Sequence, residues 1–140
     1  MGKVQILAVL TMDGCLSSEL YDKAHQDLCL DRCGLDEIRK KAFYRVTPDY
    51  SISMLHEWRK DCTNIRYLAE ATPDTADYIN GLLRMHAVDE IILYTVPFIS
   101  GSGRHFFKSA LPEQHWTLSS LKSYPNGVCR IIYILDKKKK

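Results

Sequence analysis

Residues 89–107, DEIILYTVPFISGSGRHFF, decide the fold. Residues 89–96 are mostly aliphatic and β-branched residues behind two acids, which is the longest strand signal in the chain. Pro97 ends that strand, and the Gly-Ser-Gly of residues 101–103 predicts a flexible loop directly after it. Because loops at strand ends often carry binding residues, we expect a site at this end of the sheet.

The beginning of the chain predicts a second buried strand. Residues 4–11, VQILAVLT, are almost all apolar, and a turn at Asp13-Gly14 follows them. Ser18 is a suitable cap for a helix through about Asp31, and Gly34 predicts its end.

Helices and strands alternate through the middle of the chain. We predict helices over residues 35–41, from Ser51 or Ser53 to Asp61, and over 75–85, and strands over 43–46 and 64–68. The inward residues of the two longer helices are predicted to be Leu55, Trp58, Ile79, Leu82, Leu83 and Met85.

Two alternating runs, residues 115–123 and 127–135, predict a C-terminal hairpin because Asn126-Gly127 separates them. Together the elements predict a three-layer α/β/α fold, with a mixed, mostly parallel sheet and a C-terminal antiparallel hairpin.

Composition predicts one domain and limits the partners. With 140 residues, 46% hydrophobic and 26% charged, the chain suits a single domain over residues 1–136 followed by a lysine tail at 137–140. The four tail lysines are among 19 basic residues set against 17 acidic ones, so the domain itself is slightly acidic. We therefore expect no nucleic-acid partner.

The sequence also predicts a cytoplasmic protein with no membrane partner. It has neither a signal-peptide pattern at its beginning nor an apolar run long enough to span a bilayer. Its five cysteines form no CxxC pair, which favours reduced thiols in a reducing compartment.

One group of residues has the spacing of metal ligands. His25, Cys29 and Cys33 recur every four residues, so on one helix they would form a stripe able to bind zinc. A fourth ligand is not evident, and cysteine is commonly a small buried residue. The interpretation we favour is that the chain has no metal site.

Residues 89–107 resemble a signature of the dihydrofolate reductase-like superfamily: an Asp-Glu-hydrophobic strand, Val-Pro, then G-x-G-x-x-F. Within it, the chain resembles the C-terminal reductase domain of the bifunctional riboflavin-biosynthesis deaminase/reductase. The first strand with its Asp13-Gly14 turn, and a final hairpin with Trp116, Gly127-Val128 and Tyr133, are also similar to that family. Residues 16–50 are shorter than the family's equivalent, without the customary strand and helix for the adenosine end of NADPH.

This resemblance implies NADPH-dependent hydride transfer to a small heterocyclic substrate, a pterin or a riboflavin-pathway pyrimidine. It places Asp13, Gly14 and Glu70 at the substrate, and it places the cofactor beside Ala71, Thr72, Gly101, Gly103 and Arg104. The alternatives from the residues alone are that Asp13 and the two glycines only form turns and that Glu70 is only solvated. The catalytic residue stays unknown.

One departure from the family concerns the cofactor. Where the family has a Glu-Gly-Gly turn, this chain reads Glu70-Ala71-Thr72-Pro73-Asp74. The added Cβ atoms, the missing proline amide and the carboxylate of Asp74 all oppose phosphate binding, although Asp74 is also a plausible first-turn acid for the following helix. We hypothesise weak, displaced or lost NADPH binding.

The preferred function is therefore an NAD(P)H-dependent reductase, and the alternative is a non-catalytic binding or assembly protein that kept the fold. The resemblance also implies a homodimer, formed through sheet-edge or hairpin contacts.

Overall fold

A computed structural model of the chain describes residues 3–16, 34–42, 44–61, 65–72, 74–97, 99, 105–107, 111 and 113–135. Three helices and six strands lie within these ranges. The helices are α1 (Leu35–Lys41), α2 (Ile52–Asp61) and α3 (Ala76–Arg84). The strands are β1 (Lys3–Leu10), β2 (Tyr44–Arg45), β3 (Arg66–Glu70), β4 (Glu90–Thr95), β5 (Trp116–Ser123) and β6 (Cys129–Leu135).

The six strands form one mixed sheet in the order β2-β3-β1-β4-β6-β5. The four neighbouring strands β2, β3, β1 and β4 are parallel to one another. Strand β6 is antiparallel to both β4 and β5. Strand β1 is central: its residue Leu7 is in register with Glu70 of β3 and with Ile92 of β4. The chain therefore crosses from strand to strand through helices first and ends in a hairpin, as predicted.

Both faces of the sheet are covered, which explains the continuous apolar run in β1. On one face Ile6 and Ala8 pack with residues of α2 and α3, among them Leu55, Ile79 and Leu82. On the other face Leu7, Val9, Leu68, Ile92 and Tyr94 form a smaller cluster, against which Ile38 of α1 packs. The three-layer α/β/α architecture predicted from the sequence is confirmed.

The C-terminal hairpin turns at Asn126-Gly127, as predicted. Gly127 has φ +90°, and its amide donates to the Tyr124 carbonyl at 3.0 Å while Tyr124 N donates to the Val128 carbonyl at 2.9 Å. A bulge between Leu118 and Ser120 shifts the register of β5 against β6. Leu118 pairs with Tyr133 and Leu121 pairs with Ile131, and these two β6 residues lie on the same face. The extra residue in the bulge therefore places Leu118 and Leu121 on the same face of the sheet.

Most helix predictions agree with the structure. Ser51, not Ser53, caps α2, since its Oγ accepts from Met54 N at 3.2 Å. Met85 was wrongly predicted to face the core: α3 ends at Arg84, so Met85 is the C-cap residue and is 56% exposed. The predicted helix over residues 18–31 lies outside the described residues.

In the described part of the chain, no helix has the length and apolar character that a bilayer crossing requires.

Candidate functional site

The candidate site is the edge of the sheet where the parallel strands end. The last residues of β1 and β4, Leu10 and Thr95, are in register with each other, and β3 ends at Glu70, in register with Leu7 of β1. The carboxyl ends of parallel strands in open α/β sheets are where ligands usually bind. The turns that follow β1 and β3, and the segment at residues 105–107 that follows β4, lie at this edge.

The turn after β1 is held by Thr11. The Thr11 hydroxyl donates to Asp13 Oδ1, and Thr11 Oγ1 accepts from Cys15 N at 3.1 Å. Gly14 has φ +80°, and its amide donates to the Thr11 carbonyl at 3.0 Å. Asp13 is half-buried in this turn, so the structure gives it a defined turn role, and its contact with a substrate stays a prediction.

Residues 105–107 lie directly against this turn. Cys15 and His105 form an isolated antiparallel bridge, and Phe106 N donates to the Gly14 carbonyl at 3.2 Å. Phe106 is fully buried, and the buried Asn80 of α3 donates to its carbonyl at 2.8 Å. The structure thus brings together the Asp-Gly turn and the segment that follows the Gly-Ser-Gly loop, the two motifs that were matched separately in the sequence.

His105 and Asn80 are residues of this site that the sequence did not indicate. His105 lies beside Gly14, since its Cδ2 is 3.8 Å from the position a Cβ of Gly14 would take. Asn80 occurs on an apolar helix face, and a buried amide there must be paired. That polar residue on an apolar face was the available signal for Asn80, whereas no local pattern marks His105.

Glu70 closes the site on the β2 side through two ion pairs. Its Oε1 is 2.7 Å from Arg39 Nη2 of α1, and its Oε2 is 3.1 Å from Arg45 Nη1 of β2. A third contact, from Arg39 Nε to Oε1, is 2.9 Å long. Both carboxylate oxygens are therefore engaged by arginines, so Glu70 links α1, β2 and β3, and its predicted contact with a substrate would compete with these pairs.

Three backbone amides between β3 and α3 donate hydrogen bonds to protein oxygens. Ala71 N donates to the Leu7 carbonyl at 2.8 Å, and Thr72 N donates to Thr75 Oγ1 at 2.9 Å. Thr75 N donates to the Thr72 carbonyl at 3.1 Å, and the Thr75 hydroxyl donates to the Glu70 carbonyl at 2.8 Å. Three amides of the turn are thus already used by the protein.

The three engaged amides leave this turn with fewer donors for a dinucleotide pyrophosphate. Phosphate binding at the start of a helix requires backbone N–H groups that point to the ligand, and the amides of Ala71, Thr72 and Thr75 are donated elsewhere. The helix itself begins at Ala76, so its first-turn acid is Asp77, and the prediction of Asp74 in that role was wrong. Asp74 instead lies exposed just before the helix, where it adds negative charge beside the turn.

Other predicted residues cannot be placed. Gly101, Gly103 and Arg104 of the predicted cofactor loop lie outside the described residues, as do His25, Cys29, Cys33 and the lysine tail. Among the residues that the structure does describe, no group of three or more His, Cys, Asp or Glu side chains is arranged to hold a metal ion.

No family model matches the chain, and no curated protein matches it. Several solved structures are similar to the chain. A protein assigned to riboflavin biosynthesis from Shewanella sp. PV-4 has a TM-score of 0.63 at 11% identity, over 96% of this chain and 99% of that one. Acinetobacter baumannii RibD has a TM-score of 0.58 at 13% identity, and the match spans 97% of this chain but 58% of that one.

A third similar structure is the dihydrofolate reductase of Enterococcus faecalis, solved with NADP(H). Its TM-score is 0.57 at 11% identity, over 96% of this chain and 97% of that one. The shared features are the mixed sheet with its C-terminal antiparallel pair and the helices on its faces. At these identities the likeness concerns architecture: the chain has the dihydrofolate reductase-like fold, as the riboflavin-biosynthesis reductase domains do.

Proposed function

We propose that this chain is an NAD(P)H-dependent reductase of a small heterocyclic substrate, a pterin or a riboflavin-pathway pyrimidine, in which the turn after β3 does not hold the cofactor pyrophosphate. The observation that supports the reductase is the meeting of the Asp13-Gly14 turn with residues 105–107 at the carboxyl edge of the sheet. The similar structures support it further, since one of them is a dihydrofolate reductase complexed with NADP(H).

In the proposed function, residues at this edge of the sheet position the substrate. The Thr11 hydroxyl orients the Asp13 carboxylate, and Gly14, at φ +80°, lets the backbone turn without placing a side chain against His105. In the proposed function Asp13 would accept a hydrogen bond from a ring N–H of the substrate, and the protein mainly orients the two reactants. A reduced nicotinamide, when bound, supplies the hydride.

The test of this proposal is oxidation of NADPH by the purified protein in the presence of dihydrofolate or of a phosphoribosylamino-pyrimidine. We expect substrate-dependent loss of NADPH absorbance, reduced about tenfold or more in Asp13→Asn, because the amide lacks the carboxylate's charge. Asp49→Asn, which changes an exposed carboxylate before α2, is the matched control and should retain full activity. Equal rates in both variants would contradict the role of Asp13.

The second candidate is a non-catalytic binding or assembly protein that kept the fold. It is favoured by one observation, namely that three backbone amides of the β3–α3 turn are donated to protein oxygens. In this alternative the same cleft binds a small molecule without a nicotinamide. Absence of NADPH turnover with every substrate, together with absence of NADPH binding, would support it over the reductase.

The protein is also proposed to form a homodimer through the hairpin. An apolar groove of about 380 Å³ lies on the outer half of one sheet face, lined by Ile91, Leu93, Phe107, Trp116 and Tyr133. Leu118 and Leu121 lie beside it on the same face and are 52% and 63% exposed. Exposed apolar patches of this kind are typical of association surfaces, and a second copy would cover them.

The cytoplasm is the proposed location. In the described part of the chain Cys15 is buried and Cys129 half-buried, and both are free thiols. Unpaired thiols are typical of reducing compartments. Cell fractionation with an antibody to the protein would test this location.

A further inference from the structure

Helix α3 carries one polar residue among its buried ones. Five of its residues are buried, and four of these are apolar. The fifth is Asn80, which has no exposed surface. Burial of an amide side chain costs free energy unless its hydrogen bonds are replaced inside the protein, and an apolar side chain of the same shape avoids that cost. A specific contact is therefore expected to explain why asparagine occupies this position.

The amide group of Asn80 faces two backbone carbonyls. Its Nδ2 donates to the Ala76 carbonyl within the helix and to the Phe106 carbonyl outside it, each at 2.8 Å. Both acceptors are carbonyl oxygens, so only the NH₂ side of the amide can serve them, and its two hydrogens suffice for both. The bond to Phe106 joins α3 to a residue 26 positions later in the chain. It therefore links residues 105–107 to the helix.

Phe106 extends this contact to the Asp13-Gly14 turn. The Phe106 amide donates to the Gly14 carbonyl at 3.2 Å, and the Gly14 amide donates to the Thr11 carbonyl at 3.0 Å. Phe106 is also fully buried, so packing holds it in place together with these bonds. A continuous series of hydrogen bonds therefore runs from α3 through Phe106 to the turn that carries Asp13.

The contact between this turn and residues 105–107 is made by main-chain atoms. Gly14 has no side chain that could anchor it, and its φ of +80° is a conformation that favours glycine. Besides the bond from Phe106 N to Gly14, there is the antiparallel bridge between Cys15 and His105. Because the amide and the carbonyl of Phe106 belong to one residue, a shift of the carbonyl away from Asn80 also moves the amide that donates to Gly14.

We propose that Asn80 is a positioning residue for the candidate site, which sets the position of the Asp13-Gly14 turn through Phe106. A displacement of about 1 Å in a group that orients a substrate can lower turnover about a hundredfold. The effect on turnover rests on the proposed reductase, whereas the effect on the backbone at Phe106 and Gly14 does not. The two effects are therefore measured separately.

The backbone effect is measured by amide hydrogen exchange of the full chain, followed residue by residue by NMR. Asn80→Ala removes both side-chain donors. We expect the Phe106 amide to exchange about tenfold or more faster than in the unmodified chain, after division by the rates of the β1 amides, which report opening of the sheet. In the unmodified chain the two Asn80 side-chain amide hydrogens should exchange slowly, and this measurement decides the test if Asn80→Ala does not fold.

The matched control is Tyr78→Phe on the same helix. This variant also removes a side-chain donor from a backbone carbonyl, since the Tyr78 hydroxyl donates to the Tyr50 carbonyl at 2.7 Å. That contact does not involve Phe106, so the normalised exchange rate of the Phe106 amide should stay within about twofold of its value in the unmodified chain.

The effect on turnover is measured as kcat/KM in the reductase assay. We expect Asn80→Ala to lower kcat/KM about tenfold or more, mainly through a higher KM for the substrate, and Tyr78→Phe to keep kcat/KM within about twofold. The proposal is overturned if the two variants have the same normalised Phe106 exchange or equal kcat/KM, or if the Asn80 side-chain hydrogens exchange as fast as those of an exposed amide. An unmodified chain without turnover would count against the reductase, and selectively fast Phe106 exchange in Asn80→Ala would still support the positioning role.

Discussion

At the carboxyl end of β3, the Glu70 carboxylate bridges two arginines that arrive from different elements. Arg39 of α1 and Arg45 of β2 each take one of its oxygens, at 2.7 and 3.1 Å. The Glu70 side chain is 27% exposed and that of Arg39 is 21% exposed, so the inner pair is only partly screened by solvent. Through Arg45, this carboxylate adds a side-chain link between the two-residue strand β2 and β3, beside their backbone pairing.

Glu70→Gln should lower the free energy of unfolding by about 1 to 2 kcal/mol, because the amide keeps one acceptor oxygen and turns two N–H donors toward the second arginine. Urea unfolding followed by circular dichroism measures this loss. Glu57→Gln on the exposed side of α2 is the control and should change stability by no more than about 0.5 kcal/mol. If both variants unfold at the same urea concentration, the ion pairs contribute little.

At the scale of elements, a hydrogen bond ties α3 to the segment before α2. The Tyr78 hydroxyl donates to the Tyr50 carbonyl at 2.7 Å, and Tyr50 packs edge-on against Trp58 of α2 with ring centres 5.5 Å apart. Burial raises the pKa of Tyr78 above its ordinary value. The neutral hydroxyl is therefore the form that stabilises this contact.

Tyr78→Phe should cost about 1 kcal/mol at neutral pH, because the Tyr50 carbonyl loses its donor. Since the folded pKa is raised, the stabilisation is complete below the unfolded value of about 10 and is lost as pH rises through the folded pKa. The stability difference between the two proteins should therefore narrow in alkaline buffer, as urea midpoints measured at neutral pH and above about pH 10 would show. A difference that widens at high pH would contradict this role.

Elements with a strong local signal were predictable, and those set by distant contacts were not. The strands around residues 4–11 and 89–96 and the Asn126-Gly127 hairpin follow from apolar runs and turn residues, and the structure confirms them. The two arginines on Glu70 and the approach of His105 to Gly14 join residues far apart in the sequence, whose pairing no local pattern encodes. Met85 was misjudged because a shift of one residue at a helix end exposes a side chain.

At the scale of the whole molecule, the sheet is covered unevenly. Helices α2 and α3 cover the β1 and β3 half of one face, whereas the β5–β6 half of that face carries the apolar groove and two exposed leucines. The bulge in β5 is what places both leucines on this side. The proposed homodimer would bury this surface.

Leu121→Lys should convert the proposed dimer to a monomer, because a charge in the centre of an apolar contact must be desolvated. Light scattering on a size-exclusion column measures the mass in solution. Thr117→Lys, on the opposite face of the same strand, adds the same charge and should leave the dimer intact. A monomeric mass for the unmodified chain at all concentrations would refute the dimer.

The central claim is that a reduced nicotinamide binds at the carboxyl edge of the sheet without a pyrophosphate site in the β3–α3 turn. The most direct test is a fluorescence titration with NADPH of the unmodified chain and of Ala71→Gly/Thr72→Gly, which removes both Cβ atoms from that turn. We predict saturable binding with a dissociation constant of roughly 0.1 to 1 mM, changed by less than about twofold in the double variant, because the amides at positions 71, 72 and 75 keep their protein acceptors. Near-stoichiometric binding by the unmodified chain, or no binding by either protein at several millimolar NADPH, would contradict the account.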